Sequence, residues 1–387
     1  MTTQAFLGNG FGLALASDST MTTRGRTYED CEKLIVLKSP HQVVVAISGA
    51  VSQFCLPIGV VLKEWHASLG EVQLRTIADY RRNFVEWARA SLNDLPRNDD
   101  GRADAYFGWA RWELQEFLDS ARESTSDLAP TDAGAWMKDE LVRLNELAAQ
   151  WERVDNFSEL GGSGRARSIM TELWKPRGDV WEGLEAQMER TLDFVDGESA
   201  DEIKELWFNY WVQQIEAFRG LGPITTLVFA GFGSKQILPH LAKLDLAGSY
   251  ESWLAASSMG EFEPSPLGDR WFVIWTEGDD SRIQATLRGY RLDMINEVLV
   301  DSERENPEFQ NRIRERVAEF EEDRNLQPLR NAVSSMPLAT LAETCRTLVG
   351  VEVLGKTVFG EKQTTGGEIE VFTITKAEGT LRHVATP

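Results

Sequence analysis

Residues 1–49 read MTTQAFLGNGFGLALASDSTMTTRGRTYEDCEKLIVLKSPHQVVVAISG, and this stretch decides the fold. The run Gln4 to Leu7, the turn Gly8-Asn9-Gly10 and the run Phe11 to Ala16 before Asp18 predict a β-hairpin, because two short apolar runs around an Asn-Gly turn match the twist of paired strands. A second pair, Leu34 to Leu37 and Val43 to Ile47, is joined by a loop holding Pro40. These runs are nearly continuous rather than alternating, which predicts strands covered on both faces. Asp18 then falls at the end of the second strand and Lys33 at the mouth of the third, both able to converge on Thr2. With Met1 removed, as a small second residue permits, Thr2 carries a hydroxyl and a free α-amine, a nucleophile with its base attached.

Working outward, Val51, Phe54, Cys55, Ile58, Val61, Leu62, Trp65 and Leu69 fall at helical spacing, with Gly70 as the stop and Pro57 marking the first turn. A second helix is predicted from Arg75 to Leu92, with Ile77, Tyr80, Phe84 and Trp87 on one side. Two helices after four strands supply the cover that a doubly buried sheet needs. Pro96 to Gly101 is a polar break, and Arg102 to Gly222 reads as helices with their own apolar stripes, among them Met137, Leu141, Leu144, Ala148 and Trp151. The last of these helices is expected to start at Ser199, with Glu202 completing a capping box. Gly161-Gly162-Ser163-Gly164 lacks the Lys-Ser/Thr ending of a phosphate loop and reads as a linker.

Strand character returns at Ile224 to Ala230. Gly231-Phe232-Gly233-Ser234 then reads as a turn into a helix from Lys235 to Leu244, and Gly248 to Ala256 and Arg270 to Trp275 as further strands. Helices are predicted over Gln284 to Leu299, Pro307 to Arg324 and Leu338 to Val349, the last ended by Gly350. Thr364-Thr365-Gly366-Gly367 and a closing strand pair finish the chain.

Thr2-Thr3 opening a strand, Ala16-Ser17-Asp18-Ser19 at a strand end, Glu32-Lys33-Leu34 opening another and Ser48-Gly49-Ala50 turning towards a helix together resemble the proteasome β-subunit and HslV-type peptidases, which are N-terminal nucleophile (Ntn) hydrolases. The resemblance covers residues 2–95 and 224–385. It implies an α+β fold, a four-layer αββα sandwich whose halves are residues 1–95 and 223–387, with 96–222 as a helical insertion. It also implies Thr2 as the nucleophile, Lys33 as a cation that lowers the proton affinity of the site, Asp18 as its holder and the Gly49 N–H facing the oxyanion. By the same resemblance Ser19, Thr20 and Ser48 are substrate-binding, and Ser234 and Thr365 are candidate supporting residues. Two positions depart from the family pattern: Phe232 stands where an assisting serine is expected, and Lys362, beside Glu361, stands where an acid is expected.

The implied activity is that of a threonine peptidase or amide hydrolase acting through an acyl-enzyme, without cofactor or metal. A small-molecule amidase on the same fold and a catalytically silent scaffold that binds a ligand or partner are the alternatives, the latter motivated by Phe232 and Lys362. A peptide or amide substrate, a homo-oligomer and an unfoldase or regulator are the expected partners. Forty basic against 61 acidic residues leave a formal charge of −21, which disfavours a phosphate-binding surface and hence nucleic acid. Cys31, Cys55 and Cys345 form no Cys-x-x-Cys pair, and His41, His66, His240 and His383 have no metal-ligand spacing. Apolar runs fall short of a membrane helix, and no Lys or Arg precedes Arg24, so no membrane and a cytoplasmic location are expected.

Overall fold

A computed structural model describes residues 2–23, 26–29, 31–53, 56–91, 99–151, 164–176, 182–217, 224–250, 253–257, 260–268, 270–290, 307–359 and 365–383. The chain is mixed α and β, with antiparallel sheets. It opens with β1 (Thr3–Asn9) and β2 (Gly12–Asp18), paired from Gln4↔Ser17 to Asn9↔Gly12. Both strands are buried along their whole length, as their continuous apolar character requires. A small hairpin of β3 (Met21–Thr23) and β4 (Arg26–Tyr28) leads to β5 (Leu34–Val36) and β6 (Gln42–Gly49). A second small hairpin, β7 (Ser52–Gln53) and β8 (Leu56–Pro57), precedes α1 (Ile58–Leu69) and α2 (Ile77–Ser91), so the first helix begins later than the apolar spacing from Val51 predicts.

Between residues 99 and 217 the described chain is helical: α3 (Asp99–Ser124), α4 (Pro130–Ala149), α5 (Gly164–Trp174), α6 (Leu184–Thr191) and α7 (Gly197–Glu216). Their buried faces share one apolar cluster, including Leu114, Leu118, Met137, Leu141, Met170, Met188, Ile203, Trp207 and Trp211. The cap of α7 is Asp196, whose carboxylate accepts the Ser199 N–H at 3.0 Å. Ser199 therefore lies inside the first turn, not at its start. Residues 161–163 lie outside the described part, and Gly164 already belongs to α5.

The chain returns through β9 (Thr225–Phe232), β10 (His240–Tyr250), β11 (Trp253–Ser257), β12 (Glu261–Phe262), β13 (Ser265–Leu267) and β14 (Arg270–Gly278). The predicted helix Lys235–Leu244 is thus corrected: from His240 the chain is a strand, with Leu241 against one neighbouring core and Ala242, Leu244 and Leu246 in the other. That alternation, with pairing to β9 on one side and to β11 and β12 on the other, overrides the local three-residue leucine spacing. Helices α8 (Ser281–Arg288), α9 (Pro307–Glu321), α10 (Gln327–Ser335) and α11 (Leu338–Val358) follow, with a π-helical turn Glu322–Leu326 between α9 and α10. Of the helix predicted over Gln284–Leu299, residues 291–299 lie outside the described part. Gly350 does not stop α11, because Leu348, Val349, Glu352 and Lys356 are all buried along it. Strands β15 (Ile369–Thr375) and β16 (Gly379–His383) close the chain.

One sheet runs in the order β13-β14-β1-β2-β15-β16, the other β11-β10-β9-β6-β5 with β12 beside β10. Phe6, Leu13, Leu15, Phe372 and Ile374 of the first meet Val44, Ala46, Val228, Ala230 and Phe232 of the second in one cluster. Ala5, Leu7, Ala14 and Ala16 on the other face of the first sheet pack under Val333, Leu341, Cys345 and Val349 of α10 and α11. Val43, Val45 and Phe229 of the second sheet pack against Ile58, Leu62, Trp65, Tyr80 and Phe84 of α1 and α2. Trp65 anchors this layer, wholly buried, edge-to-face with Phe84 and Phe229 and with its Nε1–H donating to Asn83 at 2.9 Å. Trp65→Ala is expected to lower the unfolding free energy by about 3–5 kcal/mol, as large-to-small changes of core aromatics do, in a urea titration followed by circular dichroism.

Candidate functional site

The two sheets share an end. The start of β1, the finish of β2, the finish of β14 and the start of β15 meet there, opposite the starts of β5 and β9 and the finish of β6. Asp18, the last residue of β2, is wholly buried. Its Oδ1 accepts the Thr3 N–H at 2.9 Å and the Lys33 Nζ at 2.8 Å. Its Oδ2 accepts the Gly366 N–H at 3.0 Å and the Thr20 N–H at 3.3 Å. A buried carboxylate is tolerated only when its lone pairs are filled, and here four donors fill them. Lys33, immediately before β5, is 6% exposed, and its own carbonyl accepts the Ile47 N–H at 2.8 Å. Burial pushes the Lys33 ammonium below its ordinary range, against the opposing pull of the Asp18 charge and hydrogen bond and the weaker pull of Cys31. The Gln4 side chain adds a tie across the sheets, donating to the Ile47 carbonyl at 2.9 Å.

Thr2 is 6% exposed. Its carbonyl accepts the Asp279 N–H at 2.7 Å, and the Thr3 hydroxyl donates to the Asp279 carbonyl at 2.6 Å. Among the described residues, of these two hydroxyls only that of Thr3 has a hydrogen-bond partner. The close approach depends on Gly278, at φ +85°, where a Cβ would lie 1.9 Å from the Thr2 oxygen. Gly49 plays the matching part at the end of β6: it is exposed, sits at φ +79°, and a Cβ there would come within 2.3 Å of the Ile224 carbonyl.

Of the other sequence-predicted residues, Ser19 and Thr20 are buried, and both of their N–H groups donate to the Gly366 carbonyl, at 3.1 and 3.2 Å. Ser48 is buried beside Gly49, paired with Thr226. Thr365 is wholly buried in the same loop, and its Oγ1, the Ser19 Oγ and the Gln4 Oε1 have no hydrogen-bond partner among the described residues. These orphaned polar atoms cluster around the Thr2–Asp18 end. Ser234 is a correction. Phe232 pairs with Gln42 and the Ser234 N–H donates to the Leu74 carbonyl at 2.8 Å, so both lie at the far end of the sheet. With Thr225 at the Gly49 end, the eight-residue length of β9 puts them roughly 20 Å from the Thr2 end. Phe232 is a core side chain there and removes nothing from the site. Lys362 and Glu361 lie outside the described residues.

The sequence reading missed Asp279 and Lys356. The β14 strand, then Gly278-Asp279-Asp280, then α8 is the strand-turn-helix that meets Thr2, and the glycine between a predicted strand and a predicted helix was the available signal. Asp279 is salt-bridged to Lys356, 7% exposed in the last turn of α11. Next to it Arg282 and the wholly buried Glu352 pair at 3.0 Å. Behind β14, a cavity of about 490 Å³ is lined by Ile274, Thr276, Asp280, Gln284, Arg288 and Leu329, among others. Among the described residues no group of three or more His, Cys, Asp or Glu is arranged to hold a metal ion, and no helix is long and apolar enough to cross a membrane.

No protein-family model and no curated protein matches the chain.

Removing one partner of a buried ion pair strands the other, so Lys33→Met is expected to cost about 3 kcal/mol in urea unfolding. Asp18→Asn is expected to cost more, because an amide turns N–H groups towards donors that need acceptors. The pH dependence separates the two effects. With Lys33 held below its ordinary 10.5, the unfolded chain binds more protons between the folded value and 10.5. The native state therefore gains stability as pH rises through that window. Lys33→Met should abolish this gain.

Proposed function

We propose that the chain is an Ntn-type hydrolase on an αββα sandwich, cleaving amides through Thr2 once Met1 is removed. The observation that carries this reading is the single buried carboxylate that holds Lys33 and the Thr3 N–H together, with Gly49 at the end of the facing strand. The Thr2 Oγ1 attacks the substrate carbonyl carbon while the α-amine takes the hydroxyl proton. Lys33 keeps the proton affinity of that amine low, and the exposed Gly49 backbone supplies N–H stabilisation to the developing oxyanion. When the tetrahedral intermediate collapses, the C–N bond breaks and the α-ammonium returns its proton to the leaving nitrogen, which leaves an ester on Thr2. Water, deprotonated by the same amine, attacks the ester carbonyl and releases the acid and the free hydroxyl. A peptide or small amide suits this chemistry equally, and the acidic surface disfavours nucleic acid as a partner.

A second reading, a silent scaffold that binds a ligand or partner, is favoured by the burial of Thr2, which limits access to its hydroxyl. One experiment separates the two. A leucine-rich peptide epoxyketone, whose ring-forming adduct requires both a hydroxyl and an amine on one residue, is incubated with the protein and the N-terminal fragment is weighed. The hydrolase reading expects one adduct on Thr2 and none on Thr2→Ala, with amide hydrolysis reduced about a thousandfold or more in that variant. No adduct on the wild type, or an equal one on Thr2→Ala, favours the scaffold.

A further inference from the structure

At the Thr2 end the gap between the two sheets is lined by polar side chains from both. Strand pairing puts Glu277, Gln4, Ser17 and Glu370 in one row across the first sheet. It puts Ser257, Asp245, Thr226 and Ser48 in one row across the second. Two residues along the same strands, Phe6, Leu15, Val228 and Ala46 lie in the core between the sheets. One residue along, Leu246 and Ala256 pack on the helix side. Strand alternation therefore turns both rows inward, towards each other. The β1–β14 pairing continues to Thr2, whose carbonyl accepts the Asp279 N–H at 2.7 Å. Thr2 thus faces the same gap, one strand repeat, or about 7 Å, from Gln4.

Among the described residues this layer is short of hydrogen-bond donors. Gln4 and Ser257 are wholly buried, and the Gln4 Oε1 and the Ser257 Oγ have no partner. The Gln4 side-chain nitrogen already donates to the Ile47 carbonyl at 2.9 Å. Asp245 accepts the Thr226 hydroxyl at 2.5 Å and shares Lys243 with Glu277, at 3.9 and 3.2 Å. Two carboxylates against one ammonium leave this trio with an excess of one negative charge. Burial raises the Asp245 carboxyl above its ordinary range, against the pulls of the Thr226 hydrogen bond and of Lys243. Glu370, at the other end of its row, is paired with Arg382 at 2.6 Å. The Lys243, Asp245 and Glu277 side chains keep 17%, 11% and 12% of their surface exposed, so the layer opens to solvent along that edge. Buried acceptors without donors are costly, and a group that brings both N–H donors and a positive charge relieves them and the excess charge together. Resting on the Thr2 reading above, we infer that the inter-sheet layer of Gln4, Glu277, Asp245 and Ser257 is a specificity pocket for an ammonium or guanidinium side chain on the acyl side of the amide substrate.

The test is the hydrolysis of three peptide aminomethylcoumarin amides that differ only in the residue before the scissile bond: arginine, its uncharged isostere citrulline, and norleucine. For the wild type, kcat/KM is expected to be about tenfold higher with arginine than with citrulline, the worth of one charged hydrogen bond. In Asp245→Asn and in Glu277→Gln that ratio should fall towards one. In Lys243→Met, which removes the competing cation, it should rise. A wild type that cleaves the three alike, or that forms the epoxyketone adduct yet leaves the arginine amide uncut, overturns the inference and leaves the Thr2 reading standing. A ratio that is unmoved in the variants, or that moves the same way in Asp245→Asn and Lys243→Met, does the same. A wild type that cleaves none of the three and forms no adduct overturns the Thr2 reading and the inference with it. Should Asp245→Asn fail to fold, Glu277→Gln, at the open edge of the layer, decides by the same ratio.

Discussion

The Asp18 carboxylate is the constraint on which the rest depends. Wholly buried, it is tolerable only because the Lys33 ammonium and the N–H groups of Thr3, Thr20 and Gly366 converge on it. Each donor comes from a different place in the chain: the start of β1, the turn after β2, the mouth of β5 and the loop before β15. Satisfying one charge therefore fixes four backbone segments and joins the two sheets at one end. The remainder of the fold covers these strands and holds them in register. Apolar strands buried on both faces need cover, α1 and α2 supply it on one side, and α10 and α11 supply it on the other.

Close backbone approach is the second theme of this end. Gly278 brings β14 against the Thr2 carbonyl, and Gly49 brings β6 against Ile224, in both cases with no room for a side chain. The helices between residues 99 and 217 contribute little to this geometry. Their core is largely their own, touching the second sheet through Ala247 of β10.

Much of this was legible in the first fifty residues. The continuous apolar runs gave the doubly covered strands, and the spacing of Asp18 and Lys33 placed an acid and a lysine at neighbouring strand ends, where the 2.8 Å contact lies. What local patterns could not supply was partner choice over distance. Leu238, Leu241 and Leu244 mimic a helix, yet pairing on both sides makes His240–Tyr250 a strand. Gly231 to Ser234 looked like the supporting turn because of its glycines, whereas the antiparallel register of β9 with β6 carries it to the opposite end. Asp279 and Lys356 escaped because the pair joins residues far apart in sequence, and no periodicity in either segment marks the other as its partner.

In the proposed hydrolase, Thr2 works as a freed amine and hydroxyl beside a lysine that an aspartate holds. The mass of the N-terminal peptide of the native protein, purified without added protease, decides this. The expected peptide begins at Thr2, with Met1 gone and the amine unmodified. A peptide that still carries Met1, or a blocked Thr2 amine, in a protein that hydrolyses amides would contradict it.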